Sequence, residues 1–191
     1  TVPLAASYGV QNLTRTETAS IEPTQGTLLL YPPGAAEPIA ITELRKDVPE
    51  GSIIVAGEGP TQATLRLLSG RTTEQARGSV QLYSGARLVI ERMRSPLFEM
   101  SSEPYQVRLR LEEGQMRVFT ESGEERPLQA DIVTPHGDID LATGSYQVAV
   151  TPAQTDITVS AGEAQLVQGD SEQLTVAPDL RAWMTADATA G

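Results

Sequence analysis

The stretch that decides the fold is IVTPHGDIDLATGSYQVAVTPAQTDITVSAGEA, residues 132–164. It contains short runs in which apolar and polar residues alternate, as in Tyr146-Gln-Val-Ala-Val150. Such alternation places the apolar side chains on one face of the chain, which is typical of a half-buried β-strand. Pro135 fixes φ in one of the intervening turns. Glycines, which permit turn conformations that other residues avoid, stand at Gly137, Gly144 and Gly162. The stretch therefore predicts strands joined by tight turns.

The same alternation continues outside this stretch. Tyr105–Leu111 places four apolar side chains on one face, and Arg108 and Arg110 on the other. Turn residues interrupt such runs about every 8–12 residues, which is the spacing of an all-β domain. The 13 prolines and 16 glycines lie mainly in these turns and leave little room for helices. We predict an all-β fold, either an antiparallel sandwich of stacked hairpins or an irregular β-solenoid.

The composition divides the chain into three parts. Residues 1–25 are rich in Thr, Ser and Ala and are predicted to be a linker or stalk. Residues 26–180 carry the alternating runs and are predicted to form one β-domain. Residues 181–191 end in a small, polar sequence and are predicted to be a C-terminal tail.

The bulk composition excludes several classes of function. The chain has 25 acidic and 14 basic residues, and a net charge of −11 repels nucleic acid. It has no cysteine, so disulfides and thiolate chemistry are absent. Aromatic residues make up only 4%, which argues against a carbohydrate site built on stacked rings. No apolar run approaches the ~18–20 residues that cross a bilayer.

The residues capable of catalysis or metal binding form no convincing site. His136 is the single histidine, and no Gly-x-Ser-x-Gly motif presents a serine to it. We expect His136 to lie in a turn and to face water. Asp131, Asp138 and Asp140 alternate along the chain and could hold a hard cation such as calcium, but calcium loops concentrate more oxygen ligands. We predict no enzymatic activity, no cofactor and no metal.

Arginine residues are the remaining candidate for a binding surface. Arg108, Arg110 and Arg117 are expected on the outer face of one hairpin that turns at Glu112–Gly114. A second local group consists of Arg87, Arg92 and Arg94. Such arginines either mark a protein-binding patch or pair with carboxylates on neighbouring strands, each pair contributing about 0.2–1 kcal/mol. The hairpin from Val107 to Val118 is the predicted protein contact.

The order and spacing of the turn motifs resemble those of the FecR domain, the extracytoplasmic region of bacterial sigma-factor regulators. Thr134-Pro135-His-Gly137 is similar to the family's Thr-Pro-x-Gly turn, and Gly144-Ser-Tyr-Gln-Val148 is similar to the strand that follows it. Tyr146 takes the aromatic core position, and Gly162 opens the next hairpin. The resemblance covers about residues 48–180. The motif residues record a fold, and none of them is a catalytic group.

The resemblance implies a function in signalling. It describes the extracytoplasmic sensor of a membrane-anchored FecR-type anti-sigma regulator, which relays an external signal by binding a protein. It implies a receptor as partner at the cell envelope, periplasmic or cell-surface localisation, and a membrane helix before residue 1. The contact would use strand addition at a free edge or an outer face. Two alternatives are a structural or adhesive cell-surface module and, with less support, a carbohydrate-binding or hydrolytic β-solenoid.

Overall fold

Seventeen β-strands and no helix make up the part of the chain that the structure describes. This computed structural model describes residues 13–67, 76–98, 101, 103–121, 126–169 and 172–186. The strands of the first sheet are β1 (Thr14–Thr16), β3 (Leu28–Tyr31), β4 (Ile39–Ile41), β6 (Ile53–Ala56), β9 (Arg87–Pro96), β10 (Tyr105–Thr120), β11 (Leu128–Thr134), β12 (Gly137–Leu141), β15 (Ala164–Gln168) and β16 (Glu172–Val176). The second sheet shares β10 and adds β2 (Ala19–Gln25), β5 (Arg45–Val48), β7 (Gln62–Leu67), β8 (Gly78–Tyr83), β13 (Gly144–Val150), β14 (Gln154–Ala161) and β17 (Arg181–Thr185).

Both sheets are open. The first runs in the order β4-β3-β6-β9-β10-β11-β12-β15-β16, with β1 pairing along the far end of β9. The second runs β5-β2-β7-β8-β10-β13-β14-β17. The pair β10–β11 is parallel, and every other pair is antiparallel. Successive hairpins alternate between the sheets, so that β11–β12 and β15–β16 join the first, whereas β13–β14 joins the second.

Strand β10 belongs to both sheets. Its first half pairs with β9 and β11, and residues from Gly114 onward pair with β8 and β13. The alternation of buried and exposed residues shifts by one position where β10 passes from the first sheet to the second. The buried residues are Val107, Leu109 and Leu111 before the crossing and Met116, Val118 and Thr120 after it. Gly114 has φ +84°, and a Cβ atom there would lie 2.5 Å from the Cα atom of Ala86. The crossing therefore requires glycine.

The inner faces of the two sheets form one hydrophobic core. Its members come from almost every strand and are mostly Val, Leu, Ile and Ala, with Tyr146 as the largest fully buried side chain. The all-β prediction is confirmed. Two packed sheets built from alternating hairpins correspond to the sandwich alternative rather than to the solenoid.

Two segments predicted as linker and tail contain paired strands. Strand β2 pairs with β5 and β7, and its Ala19 and Ile21 are fully buried. Strand β17 pairs with β14 at the edge of the second sheet. The predicted domain boundaries at residues 25 and 180 stay predictions. Residues 1–12 and 187–191, at the two ends of the chain, lie outside the described residues, so the predicted linker and tail are described only in part.

Replacing Gly114 by alanine tests the crossing. Gly114→Ala adds a methyl group in contact with the backbone of Ala86 and imposes a strained φ. We expect a loss of unfolding free energy clearly above the ~1–3 kcal/mol of backbone strain alone, measured by urea denaturation. Gly34 is the matched control, because its φ is +74° and a Cβ atom there would meet nothing within 4 Å. Equal losses for Gly114→Ala and Gly34→Ala would contradict the close approach.

Candidate functional site

The Thr134–Gly137 turn packs against the second sheet through Thr134 and His136, which are buried, while Pro135 is exposed. The Thr134 hydroxyl donates to the carbonyl of Gly137 at 2.7 Å, and the Thr155 hydroxyl of β14 donates to Thr134 at 3.0 Å. His136 is only 6% exposed, and its Nδ1 lies 2.9 Å from the Thr155 hydroxyl. The expectation that His136 faces water is therefore wrong. The second sheet covers this turn, so that the histidine acts as a packing and hydrogen-bonding residue.

Tyr146 is held in a cradle that two glycines leave open. Its hydroxyl donates toward the carbonyls of Ala142 (3.1 Å) and Glu163 (3.0 Å) and accepts from the Glu163 amide at 3.1 Å. A Cβ atom on Gly144 or Gly162 would lie 2.7 or 2.3 Å from that hydroxyl. Burial raises the pKa of Tyr146. The spacing of Gly144, Tyr146 and Gly162 therefore reflects one packing arrangement, in which the tyrosine hydroxyl fills the space beside the two glycines.

The three candidate arginines do not form one patch. Residues 105–120 are one continuous strand, so the predicted hairpin turning at Glu112–Gly114 does not exist. Arg108 and Arg110 lie on the outer face of the first sheet. Arg117 lies past the crossing, on the outer face of the second sheet, where its guanidinium stacks 5.3 Å from the ring centre of Phe119. The local Glu-Glu-Gly turn signal is overridden because strands pair along both edges of this segment.

Arg108 is the centre of an ionic network on the outer face of the first sheet. Its guanidinium contacts Glu91 at 3.2 Å, Asp138 at 2.8 Å and Asp131 at 3.7 Å. Arg110 also pairs with Glu91. We call this set of five residues the ionic network. It confirms that carboxylates on neighbouring strands pair with these two arginines.

The carboxyl groups around the network are crowded. Burial raises the pKa of Asp131, and the nearby charge of Asp140 raises it further, whereas Arg108 lowers it. Burial also raises the pKa of Asp140, and Asp138 adds to the effect. Among the described residues no group of His, Asp and Glu side chains could hold a metal ion. Arg108 therefore occupies the position between the carboxylates that the sequence suggested for a cation.

An apolar strip adjoins the ionic network. It is defined by the outward-facing residues Leu29, Tyr31, Ile53, Val55 and Val89 of β3, β6 and β9. Leu29 is 36% exposed, and the other four are partly exposed. The row Tyr31–Ile53–Val89 continues directly into Arg110 on β10. The outer face of the first sheet thus carries apolar and ionic surface side by side.

The outer face of the second sheet differs in chemistry. Its central row consists of Thr64, Gln81, Arg117, Gln147 and Thr158. Outward positions of a solvated sheet are normally polar, as they are in this row. The second sheet also exposes Phe119 and Trp183, but these lie on β10 and β17, which do not neighbour each other, whereas the apolar strip joins three adjacent strands of the first sheet.

Sequence reasoning missed the apolar strip. The signal was present in the continuous apolar runs Leu28–Tyr31 and Ile53–Ala56, which break the alternation expected of a strand with one solvated face. Such runs indicate apolar side chains on both faces. Here one face is in the core and the other is open.

A family model described as FecR protein matches residues 69–165, just over half of the 191 residues. The chain belongs to the FecR family. The match is narrower than the region of about residues 48–180 over which the resemblance extends. It includes the Thr134–Gly137 turn, the Tyr146 cradle and the whole of β10. FecR proteins are generally non-enzymatic regulators, and the domain is typically periplasmic. The described residues contain no helix that could cross a membrane.

Solved structures show the same fold. Two crystal structures of a "putative anti-sigma factor" from Parabacteroides distasonis match with TM-scores of 0.51 and 0.50, both at 16% identity. Each match covers 72% of this chain and 57% of the other chain, so this FecR chain corresponds to little more than half of that protein. No curated protein matches the chain.

Tyr146→Phe tests the cradle of the FecR motif. The substitution keeps the ring but removes the hydroxyl that accepts from the amide of Glu163 and donates toward two carbonyls. We expect a loss of about 1–3 kcal/mol in unfolding free energy, measured by urea denaturation. Tyr83→Phe is the control, because among the described residues the only hydrogen bond of that hydroxyl is to the side chain of Gln81. If Tyr146→Phe lowers the unfolding free energy by no more than Tyr83→Phe does, the hydrogen bonds of the cradle do not stabilise the fold, and the account of the cradle is contradicted.

Asp140→Asn tests the crowding of carboxylates. The raised pKa of Asp140 means that its ionised form is less favourable in the folded than in the unfolded chain. The stability it contributes is present below its ordinary pKa of 3.8 and is lost as the pH rises through the folded pKa. We expect Asp140→Asn to have a higher Tm than the native chain at pH 7, with the difference vanishing near pH 3. Glu43→Gln, on the exposed connection between β4 and β5, is expected to show no such gain. A pH-independent difference would contradict the assignment.

Proposed function

We propose that this FecR-family chain is the extracytoplasmic sensor of a membrane-anchored anti-sigma regulator, and that it relays a signal by binding a protein at the cell envelope. The family assignment supports a regulatory role without catalysis. The described residues include no cluster suited to a metal, and the single histidine is used in packing. The function therefore rests on a surface rather than on a reactive site.

The observation that carries the proposal is the chemistry of the first sheet's outer face. The apolar strip and the ionic network lie next to each other across β3, β6, β9, β10, β11 and β12. Protein interfaces combine an apolar centre with a polar, charged rim, and Arg is enriched in them. The partner is a protein whose surface offers apolar side chains opposite Leu29 and Val55 and charges opposite Arg110.

Two of the sheet edges, β4 and β5, are less suited to the contact. Edge strands β4 and β5 have only three and four residues, and β5 carries Arg45, Lys46 and Asp47. Short, charged edges are the usual means by which proteins prevent strand addition. The outer face is therefore preferred to strand addition at these two edges.

Signalling by the full-length regulator in its own cells is the direct test. Leu29→Glu places a charge in the apolar strip, at a position that already faces solvent. We expect the variant to lose signal-dependent transcription of the target genes, while its amount and its circular dichroism remain native. Gln147→Glu, on the exposed face of the second sheet, is the matched control and should signal normally.

Site-specific photo-crosslinking complements this experiment. A photoreactive residue at Val55 should cross-link to one envelope protein, and the same residue at Gln147 should not. Unchanged signalling by Leu29→Glu, or cross-links formed from Gln147 alone, would place the contact on another surface and contradict the proposal.

A further inference from the structure

A polar cavity opens on the outer face of the first sheet at the opposite side of the ionic network from the apolar strip. Its volume is about 230 Å³, and it is lined by Arg92, Gln106, Val107, Arg108, Gln129 and Asp131. Arg92, Arg108 and Asp131 stand directly opposite one another on β9, β10 and β11. Neither the FecR family match nor the turn motifs account for this cavity.

Arg92 brings an uncompensated positive charge to the cavity. Its neighbours on β9 are paired, since Arg87 contacts Glu112 at 2.5 Å and Arg94 contacts Glu50 at 3.0 Å. Among the described residues Arg92 has neither an ion pair nor a hydrogen bond, although the protein is strongly acidic. An arginine fork in this position matches a carboxylate in charge and in geometry.

Asp131 brings a carboxylate with a weakly held, accessible oxygen. Its Oδ1 atom is buried and has no hydrogen-bond partner among the described residues. Its nearest cation, Arg108, reaches only the other oxygen, at 3.7 Å, and is itself held by Glu91 and Asp138. The Asp131 side chain is 21% exposed although Oδ1 is buried, so the oxygen open to the cavity is Oδ2, which Arg108 approaches only to 3.7 Å, beyond the length of a hydrogen bond.

The size and spacing of the cavity limit the ligand. A volume of this size corresponds to about seven or eight waters at ~30 Å³ each, which admits one amino-acid-sized group. Neighbouring strands lie ~4.8 Å apart, so the Cα atoms of Arg92 and Asp131 are separated by about 10 Å, and their side chains shorten the gap. The ligand must therefore place an anion and a nitrogen donor a few bonds apart.

We propose that this cavity binds a ligand in which a carboxylate lies beside a nitrogen donor, the pairing found in a free amino acid and at the C-terminus of a peptide. The carboxylate binds the guanidinium of Arg92, and the ammonium or amide N–H donates to Oδ2 of Asp131, the oxygen that is open to the cavity. Gln106 and Gln129 supply further hydrogen-bonding groups at the rim. The site does not depend on the proposed sensor function, because it is defined by the isolated chain.

Titration of the whole chain by two-dimensional NMR tests the site. The probes are L-alanine, N-acetyl-alanyl-alanine and the same dipeptide with a C-terminal amide, each at about 10 mM, which saturates a Kd of about 1 mM. We expect shifts of the backbone amides of Gln106 and Gln129 with at least one of the first two probes and none with the amide. Binding of alanine alone identifies a free amino acid as the ligand, and binding of the dipeptide identifies a peptide terminus.

Two variants locate the binding groups. Arg92→Gln is expected to weaken binding at least tenfold, and Asp131→Asn is expected to weaken it by a smaller factor because the amide retains one acceptor. Arg45→Gln is the matched control, because Arg45 is an exposed arginine of β5 with no carboxylate partner among the described residues. The absence of any shift with all three probes overturns the proposal, and so does equal binding by Arg92→Gln and Arg45→Gln.

Discussion

The structure depends on the passage of one strand between two sheets. Strand β10 has pairing partners on both sides along its length, first β9 and β11, then β8 and β13. The chain can cross only because Gly114 adopts a left-handed φ and lies against the backbone of Ala86, where any Cβ atom would collide. Both sheets extend outward from this strand as alternating hairpins. Their inner faces therefore meet in one core, and neither sheet has an independent one.

This arrangement also determines what each surface can do. Because β10 changes sheets, residues before Gly114 present their polar side chains on one outer face and residues after it on the other. Arg108 and Arg110 thus meet carboxylates from β9, β11 and β12, whereas Arg117 stacks on Phe119 and donates to the Ser145 hydroxyl, among neutral Thr and Gln side chains. The apolar strip and the polar cavity flank the same ionic network. The first sheet therefore carries both the proposed protein-binding surface and the proposed ligand site.

The sequence predicts the strands and the motif cradle well, because alternation and turn glycines are local signals. Tyr146 and its two glycines are fully recognisable from spacing. Burial of His136 could not be predicted, because Thr155 and β17 reach that turn only through the tertiary fold. The continuity of β10 could not be predicted for the same reason. The turn signal at Glu112–Gly114 is local, whereas the strands that pair with this segment and override the signal are distant in sequence. That Arg92 has no partner among the described residues becomes visible only once the positions of those residues are known.

Native-state hydrogen exchange in dilute urea tests most directly whether β10 unites the two sheets. The amides of Leu109 in the first sheet and Val118 in the second belong to opposite halves of the strand. If both sheets depend on β10, these amides exchange only through global unfolding, with the same free energy and the same urea dependence. Exchange of one half at a distinctly lower free energy, while the other half stays protected, would show that the sheets unfold separately and would contradict this account.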